Sequence, residues 1–346
     1  MYDDIHITPS PDQAVGNHLG EKRASSASGT SRLGLWETEM KHRLFFAVLL
    51  AVTACLPATA QANTPETRFV EGDDVRYAYR AHGTETGTPL VLSQRFRGTM
   101  DDWDPAFLDA LAETRPVVVF DGAGVSSSTG EVPTSIAGMA DDMAAFVGAL
   151  GHVEVDVLGW SMGGFVVQEL AMRHPELVDR LILVGTGPAG SAETPAPEEG
   201  VFEVATRPTY GAEEREHLFF ADAPSSLAPA EASMARIDAE RDPNAEPPTT
   251  PEVMQVQGAA IGAWLGGGDG AFERLAAIET PTLIVAGDRD PFFPVLGAFL
   301  LNREIPDTRL AVYPMAGHAP HHQWPEHVAQ IIDDFLADTT PSVADE

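Results

Sequence analysis

From about residue 68 onward, short β-branched and apolar runs alternate with stretches of helical periodicity, a pattern that few folds can satisfy. The runs VRYAYRA (75–81), PLVLS (89–93), PVVVF (116–120), VEVDVLG (153–159), RLILVG (180–185), PTLIVAG (281–287) and RLAVYP (309–314) read as strands. Several are apolar almost throughout, as strands covered on both faces are. Between them, SIAGMADDMAAFVGAL (135–150) sets Ile136, Met139, Met143, Phe146 and Leu150 at helical spacing, and PEHVAQIIDDFLAD (325–338) opens on a proline suited to a first helical turn. The expectation is an α/β fold, a mostly parallel sheet flanked by helices.

The alternation lapses between Gly187 and about Gly270. That stretch holds Pro- and Glu-rich pieces, no convincing strand, two plausible helices near 211–221 and 229–241, and a closing GGGDG. The expected organisation is a core made of residues 63–187 and 271–346, with residues 188–270 inserted as a lid. Loops at the carboxyl ends of parallel strands are where such sheets bind ligands.

The first 62 residues have a different character. Residues 40–62, MKHRLFFAVLLAVTACLPATAQA, have a basic start, an apolar run from Leu44 to Leu56 and an Ala60-Gln61-Ala62 cleavage site, which together read as a secretory signal peptide. The run is too short for a permanent membrane span. Residues 1–39, rich in Ser, Gly and Asp, read as a disordered extension, with Met40 the natural start. The product is expected to be secreted or periplasmic. The alternative is a lipoprotein held through Cys55, because Val52-Thr53-Ala54-Cys55 resembles a lipidation box. Of 52 acidic and 21 basic residues, six and five fall within the first 62, leaving 46 and 16, the latter all Arg. So negative a chain excludes nucleic acid as a partner. It suits strong salt and plain solubility equally well.

Within VLGWSMGGFV (157–166), Ser161 stands in a G-x-S-x-G pattern between a buried-type strand and a helical segment. Gly159, Gly163 and Gly164 lack the side chains that would clash in so tight a bend. Chance supplies this pattern too readily for it to decide alone. Two later strands settle the matter: PTLIVAG is followed by DRDPFFP, with Asp288 and Asp290, and RLAVYP by MAGHAPHHQWPEHV, with His318. A serine hydroxyl is a poor nucleophile until an imidazole takes its proton, and a carboxylate fixes the imidazole's tautomer.

On these residues the chain, from about 68 to 338, resembles the α/β-hydrolase superfamily, in the style of its esterase, lactonase and cofactor-free haloperoxidase-like branch. The resemblance implies the triad Ser161, Asp290, His318, since a G-D-x-D segment gives its second Asp to the triad and A-G-H presents the histidine. Asp288 becomes a structural neighbour. The sequence departs from the family where His-Gly is usual after the strand PLVLS: here Gln94-Arg95 stand in that place. The oxyanion donors implied are the backbone N–H groups of Phe96 and Met162. Arg95 and Arg97 are expected to pair with acids such as Asp101 and Asp102. His321, His322 and His327 are expected on the surface. His318 and His322 have i, i+4 spacing, but Pro320 intervenes and no glutamate accompanies them, so no metal site is expected. The reading is an exported serine hydrolase that cleaves a small-molecule ester or lactone through an acyl-enzyme, without metal or organic cofactor. Alternatives are a carbon–carbon hydrolase or perhydrolase on the same triad, or an inactive ligand-binding homologue. No oligomeric state follows from these patterns.

Overall fold

The computed structural model of the protein describes residues 64–209, 211–241 and 249–338. The expected extension (1–39) and signal peptide (40–62), with Met40 and Cys55, lie outside the described residues. The strands are β1 (Arg68–Glu71), β2 (Arg76–His82), β3 (Leu90–Ser93), β4 (Val117–Phe120), β5 (Val155–Trp160), β6 (Val178–Val184), β7 (Thr282–Gly287) and β8 (Thr308–Tyr313). They form one sheet in the order β1-β2-β4-β3-β5-β6-β7-β8. β1 and β2, and β2 and β4, pair antiparallel, and every other pairing is parallel. All seven expected strands are present. β1 is additional: RFVE carries no apolar run and only Val70 is even partly buried.

The longer helices of the core are α1 (Pro105–Ala112), α2 (Ile136–Ala149) and α3 (Met162–Arg173). Four more, α4 (Val201–Ala205), α5 (Ala212–Phe219), α6 (Pro224–Glu240) and α7 (Pro251–Leu265), lie between β6 and β7. The chain then forms α8 (Val295–Glu304), the short α9 (Pro320–Gln323) and α10 (Pro325–Leu336). Alternate residues of the central strands face opposite ways. Val91, Val118, Val157, Leu181 and Ile284 meet Met143 and Phe146 of α2, Phe165 of α3 and Leu301 of α8. Leu90, Val119, Leu158, Ile182 and Leu283 meet Phe107 of α1 and Val328 and Ile332 of α10. The central strands are therefore covered on both faces.

Local signals explain where the helices begin. Ser135 caps α2 through Gly138 N–H, Asp104 caps α1 through Ala106 N–H, and Thr250 caps α7 through Val253 N–H, with Pro251 in its first turn. Two insertion helices fall where they were expected, as α5 and α6, while α4 and α7 were not anticipated. Among the described residues no helix is long and apolar enough to cross a membrane.

Candidate active site

β5 ends at Trp160 and α3 starts at Met162, so Ser161 alone makes the turn. It does so at φ 59° and ψ −119°, a conformation costly for a side-chain-bearing residue. Neighbouring strands hold it there: Ser161 N–H donates to Val184 O at 3.1 Å, and Thr186 Oγ1 donates to Ser161 O at 2.8 Å. The glycines on either side are required by close approach. A Cβ on Gly159 would lie 2.3 Å from Gly163 O, and one on Gly163 would lie 2.2 Å from Ser93 O. With helix-start amides behind it, which have no partner inside the helix, the serine sits where an anion is favoured.

Asp290 follows β7, and both of its oxygens are engaged. Oδ1 accepts from the N–H groups of Phe292 (2.8 Å) and Phe293 (3.0 Å), and Oδ2 faces His318 Nδ1 at 2.9 Å. The pair is shielded, with Asp290 6% and His318 2% exposed. That bond fixes Nδ1 as the protonated nitrogen and leaves Nε2 as the acceptor. Asp288 instead accepts from Met315 N–H at 2.7 Å, tying the β7 turn to the β8 turn. His318 is anchored beside the elbow: the indole of Trp160, the residue before Ser161, donates to His318 O at 2.9 Å. The three sequence-selected side chains thus share one rim of the sheet, at the ends of β5, β7 and β8.

The third wall follows β3. Phe96 is partly buried, and among the described residues no acceptor takes its N–H. Met162, the other expected donor, opens α3. Arg95 is buried and paired: Nη2 lies 3.2 Å from Asp102 Oδ1, Nη1 donates to Phe96 O at 2.9 Å, and the guanidinium lies over the rings of Trp160 and Phe219. Burial pushes the Asp102 carboxyl up, but the charges of Arg95 and Arg241 outweigh it and hold the group below the usual carboxylate range. Arg97 donates to the carbonyls of Ala205, Arg207 and Pro208, while its own N–H meets Gln257 Oε1. Asp101 pairs with Arg80. The two arginines therefore buttress the loop from opposite sides, one from the core and one from the insertion.

The expectation for two histidines is corrected. His321 and His322 are buried, at 0% and 3% exposed, because α9 turns inward after Pro320 and packs under Trp160. Burial, with the nearby His322, His318 and Arg95, holds His321 well below its ordinary pKa, and burial brings His322 down to about 4. His327 is exposed as expected. Among the described residues no group of three or more His, Cys, Asp or Glu is arranged to hold a metal ion.

An apolar cavity of about 250 Å³ opens beside this rim, bordered by Phe96, Phe202, Leu218, Phe219, Ile261 and Phe292. Phe220, Met234 and Trp264 of the insertion are core, Trp264 stacking on Phe165 at 5.3 Å. Phe292 was missed, although its place two residues after Asp290 was a usable signal. A wider acidic cleft of about 650 Å³, with Glu198, Glu213, Glu216 and Asp222, lies on the other side of Asp290.

Comparison with known proteins agrees with this architecture. The family model described as the alpha/beta hydrolase fold matches residues 88–325. A relative from Azorhizobium caulinodans that carries the name carbamate hydrolase RutD is 32% identical over 260 residues, which is 72% of this chain and 91% of that protein. The poly(3-hydroxyalkanoate) depolymerase of Ectopseudomonas oleovorans is 29% identical over 276 residues, 78% of this chain and 92% of the depolymerase. Among solved structures, an alpha/beta hydrolase fold protein from Chitinophaga pinensis superposes with a TM-score of 0.73 at 29% identity, covering 80% of this chain and 98% of that one.

Proposed function

This chain belongs to the α/β-hydrolase family, and from that premise we propose that it is a serine hydrolase of a small-molecule ester or lactone. The observation that carries the reading is the shielded Asp290–His318 hydrogen bond of 2.9 Å beside a serine held at positive φ. In the proposed cycle His318 Nε2 takes the hydroxyl proton as Ser161 Oγ bonds to the carbonyl carbon. The carbonyl oxygen, now an anion, lies between the N–H groups of Phe96 and Met162. The C–O bond then breaks, His318 returns the proton to the departing alkoxide, and an acyl-Ser161 ester remains. Water, deprotonated by the same imidazole, attacks that ester, the acyl–Oγ bond breaks, and His318 returns the proton to Ser161 Oγ as the acid is freed. Asp290 holds the ring and balances the imidazolium without taking its proton. The inserted helices serve as the lid. The sequence of residues 40–62 supports export, and a purified native protein that starts at Asn63 is the expected outcome of N-terminal sequencing.

A fluorophosphonate probe tests the mechanism. It is expected to label the folded wild type at Ser161, and Ser161→Ala is expected to abolish labelling and cut ester turnover by about 10⁴-fold or more. Turnover that survives this substitution would remove Ser161 from the chemistry. A well-folded wild type that resists the probe would favour a ligand-binding role.

A further inference from the structure

The face of α7 that borders the apolar cavity is built from Gly258, Ile261, Gly262 and Leu265, spaced so that all four share one side of the helix. Glycine in a helix interior is less favourable than alanine. Packing does not require these two, since a Cβ on either would meet no atom within 4 Å. The helix is thus thinned where it faces empty space.

The space also touches the chemistry. Phe96 belongs to the loop assigned to the oxyanion, and the rings of Phe219 and Phe292 lie 6.3 and 4.6 Å from the imidazole of His318. We infer that this cavity receives the acyl arm of the substrate, an uncharged apolar chain of roughly eight to ten carbons, and that Gly258 and Gly262 set its length limit. This deepens the serine-hydrolase reading and rests on it. The size follows from volume. An engineered cavity of about 150 Å³ holds the six carbons of benzene, so about 250 Å³ takes proportionately more. The absence of charge follows from the lining, because the cation at its edge, Arg95, already faces Asp102 at 3.2 Å. A carboxylate on the chain would enter an apolar wall unpaired.

The test is kcat/KM for 4-nitrophenyl esters of straight-chain acids from two to fourteen carbons, with the ω-carboxy analogue of the octanoate, on the wild type, Gly258→Leu, Gly262→Leu and Gly258→Ala. For the wild type the value is expected to rise roughly fourfold per methylene to a maximum at eight to ten carbons and then fall, with the ω-carboxy ester about 100-fold below the octanoate. Each leucine variant moves the maximum down by two or more carbons. Gly258→Ala raises the melting temperature, showing that α7 is intact, while lowering the ratio of decanoate to butyrate turnover. A flat wild-type profile, or a maximum unmoved in both leucine variants, overturns the assignment. If that happens while Ser161→Ala is inactive on every ester, the serine mechanism stands and only the pocket assignment falls. A wild type that cleaves none of the esters and resists the fluorophosphonate overturns both.

Discussion

The site has a floor and a roof, and they are held by different physics. The floor, at the ends of β3, β5, β7 and β8, is fixed by backbone contact: Gly159 against Gly163, Gly163 against Ser93, the Trp160 indole on the His318 carbonyl. Two of its buried groups, His321 and His322, are kept neutral by burial, and nearby, after β4, burial pushes the pKa of Asp121 up to about 7. The roof, α4 to α7, packs Phe220, Met234 and Trp264 into the core and adds charge pairs to that contact. Arg236 reaches Asp104, Arg241 reaches Asp102, and Arg97 reaches back to the carbonyls that end α4. There the carboxylates are held ionised rather than neutral. A dense floor keeps three catalytic candidates in register, whereas the roof combines apolar contacts with buried ion pairs.

The sharpest way to break this contrast is to overfill the floor. Gly163→Ala places a Cβ against the backbone oxygens of Ser93 (2.2 Å) and Gln94 (2.8 Å), neither of which can rotate away. It is expected to cost more than about 3 kcal/mol, read by urea denaturation, and to deplete the soluble protein. A stable, active Gly163→Ala would show the floor to be as compliant as the roof.

The roof responds to loss of a partner. Arg236→Met leaves the buried carboxylate of Asp104 without its guanidinium, at a cost of about 3 kcal/mol at pH 8. The cost should shrink below pH 5 as that carboxylate protonates, which a pH series of denaturation curves checks. An unchanged midpoint would place the roof's attachment elsewhere.

Acid provides the mildest probe of the floor. His322 titrates near 4 in the folded chain against an ordinary value of 6.5. A depressed folded pKa means stability that is fully present above 6.5 and is lost as pH falls toward 4. This contribution, about 3 kcal/mol, should be absent in His322→Gln, whose stability then declines less between pH 6.5 and 4 than that of the wild type. Asp121 acts in the opposite sense, its raised pKa removing stability as pH rises through 7. Parallel pH profiles for the wild type and His322→Gln would refute the role assigned to that histidine.

Legibility in the sequence followed the same division. The floor was readable because its strands are buried on both faces and so appear as continuous apolar runs, and because the elbow demands glycine. Ser161 and Asp290 stand just past such runs, whereas His318 follows the half-exposed edge strand β8. The roof was half hidden. α7 escaped because Gly258 and Gly262 blur the apolar periodicity that would announce a helix, even though Thr250-Pro251 signalled its start. His321 and His322 looked like surface residues because polar type dominates a local reading. Only the tertiary inward turn of α9 beneath Trp160 shows them to be buried. Phe292 was overlooked although it stands two residues after Asp290, because its contact with His318, 26 residues away, arises only in the fold.

Trp160 links several of these threads: fully buried, it adjoins the elbow, bonds the His318 carbonyl and touches the rings of three imidazoles. Its emission is therefore expected to report on the charge of this cluster, which an acid titration followed by tryptophan fluorescence, with Trp160→Phe as the blank, checks.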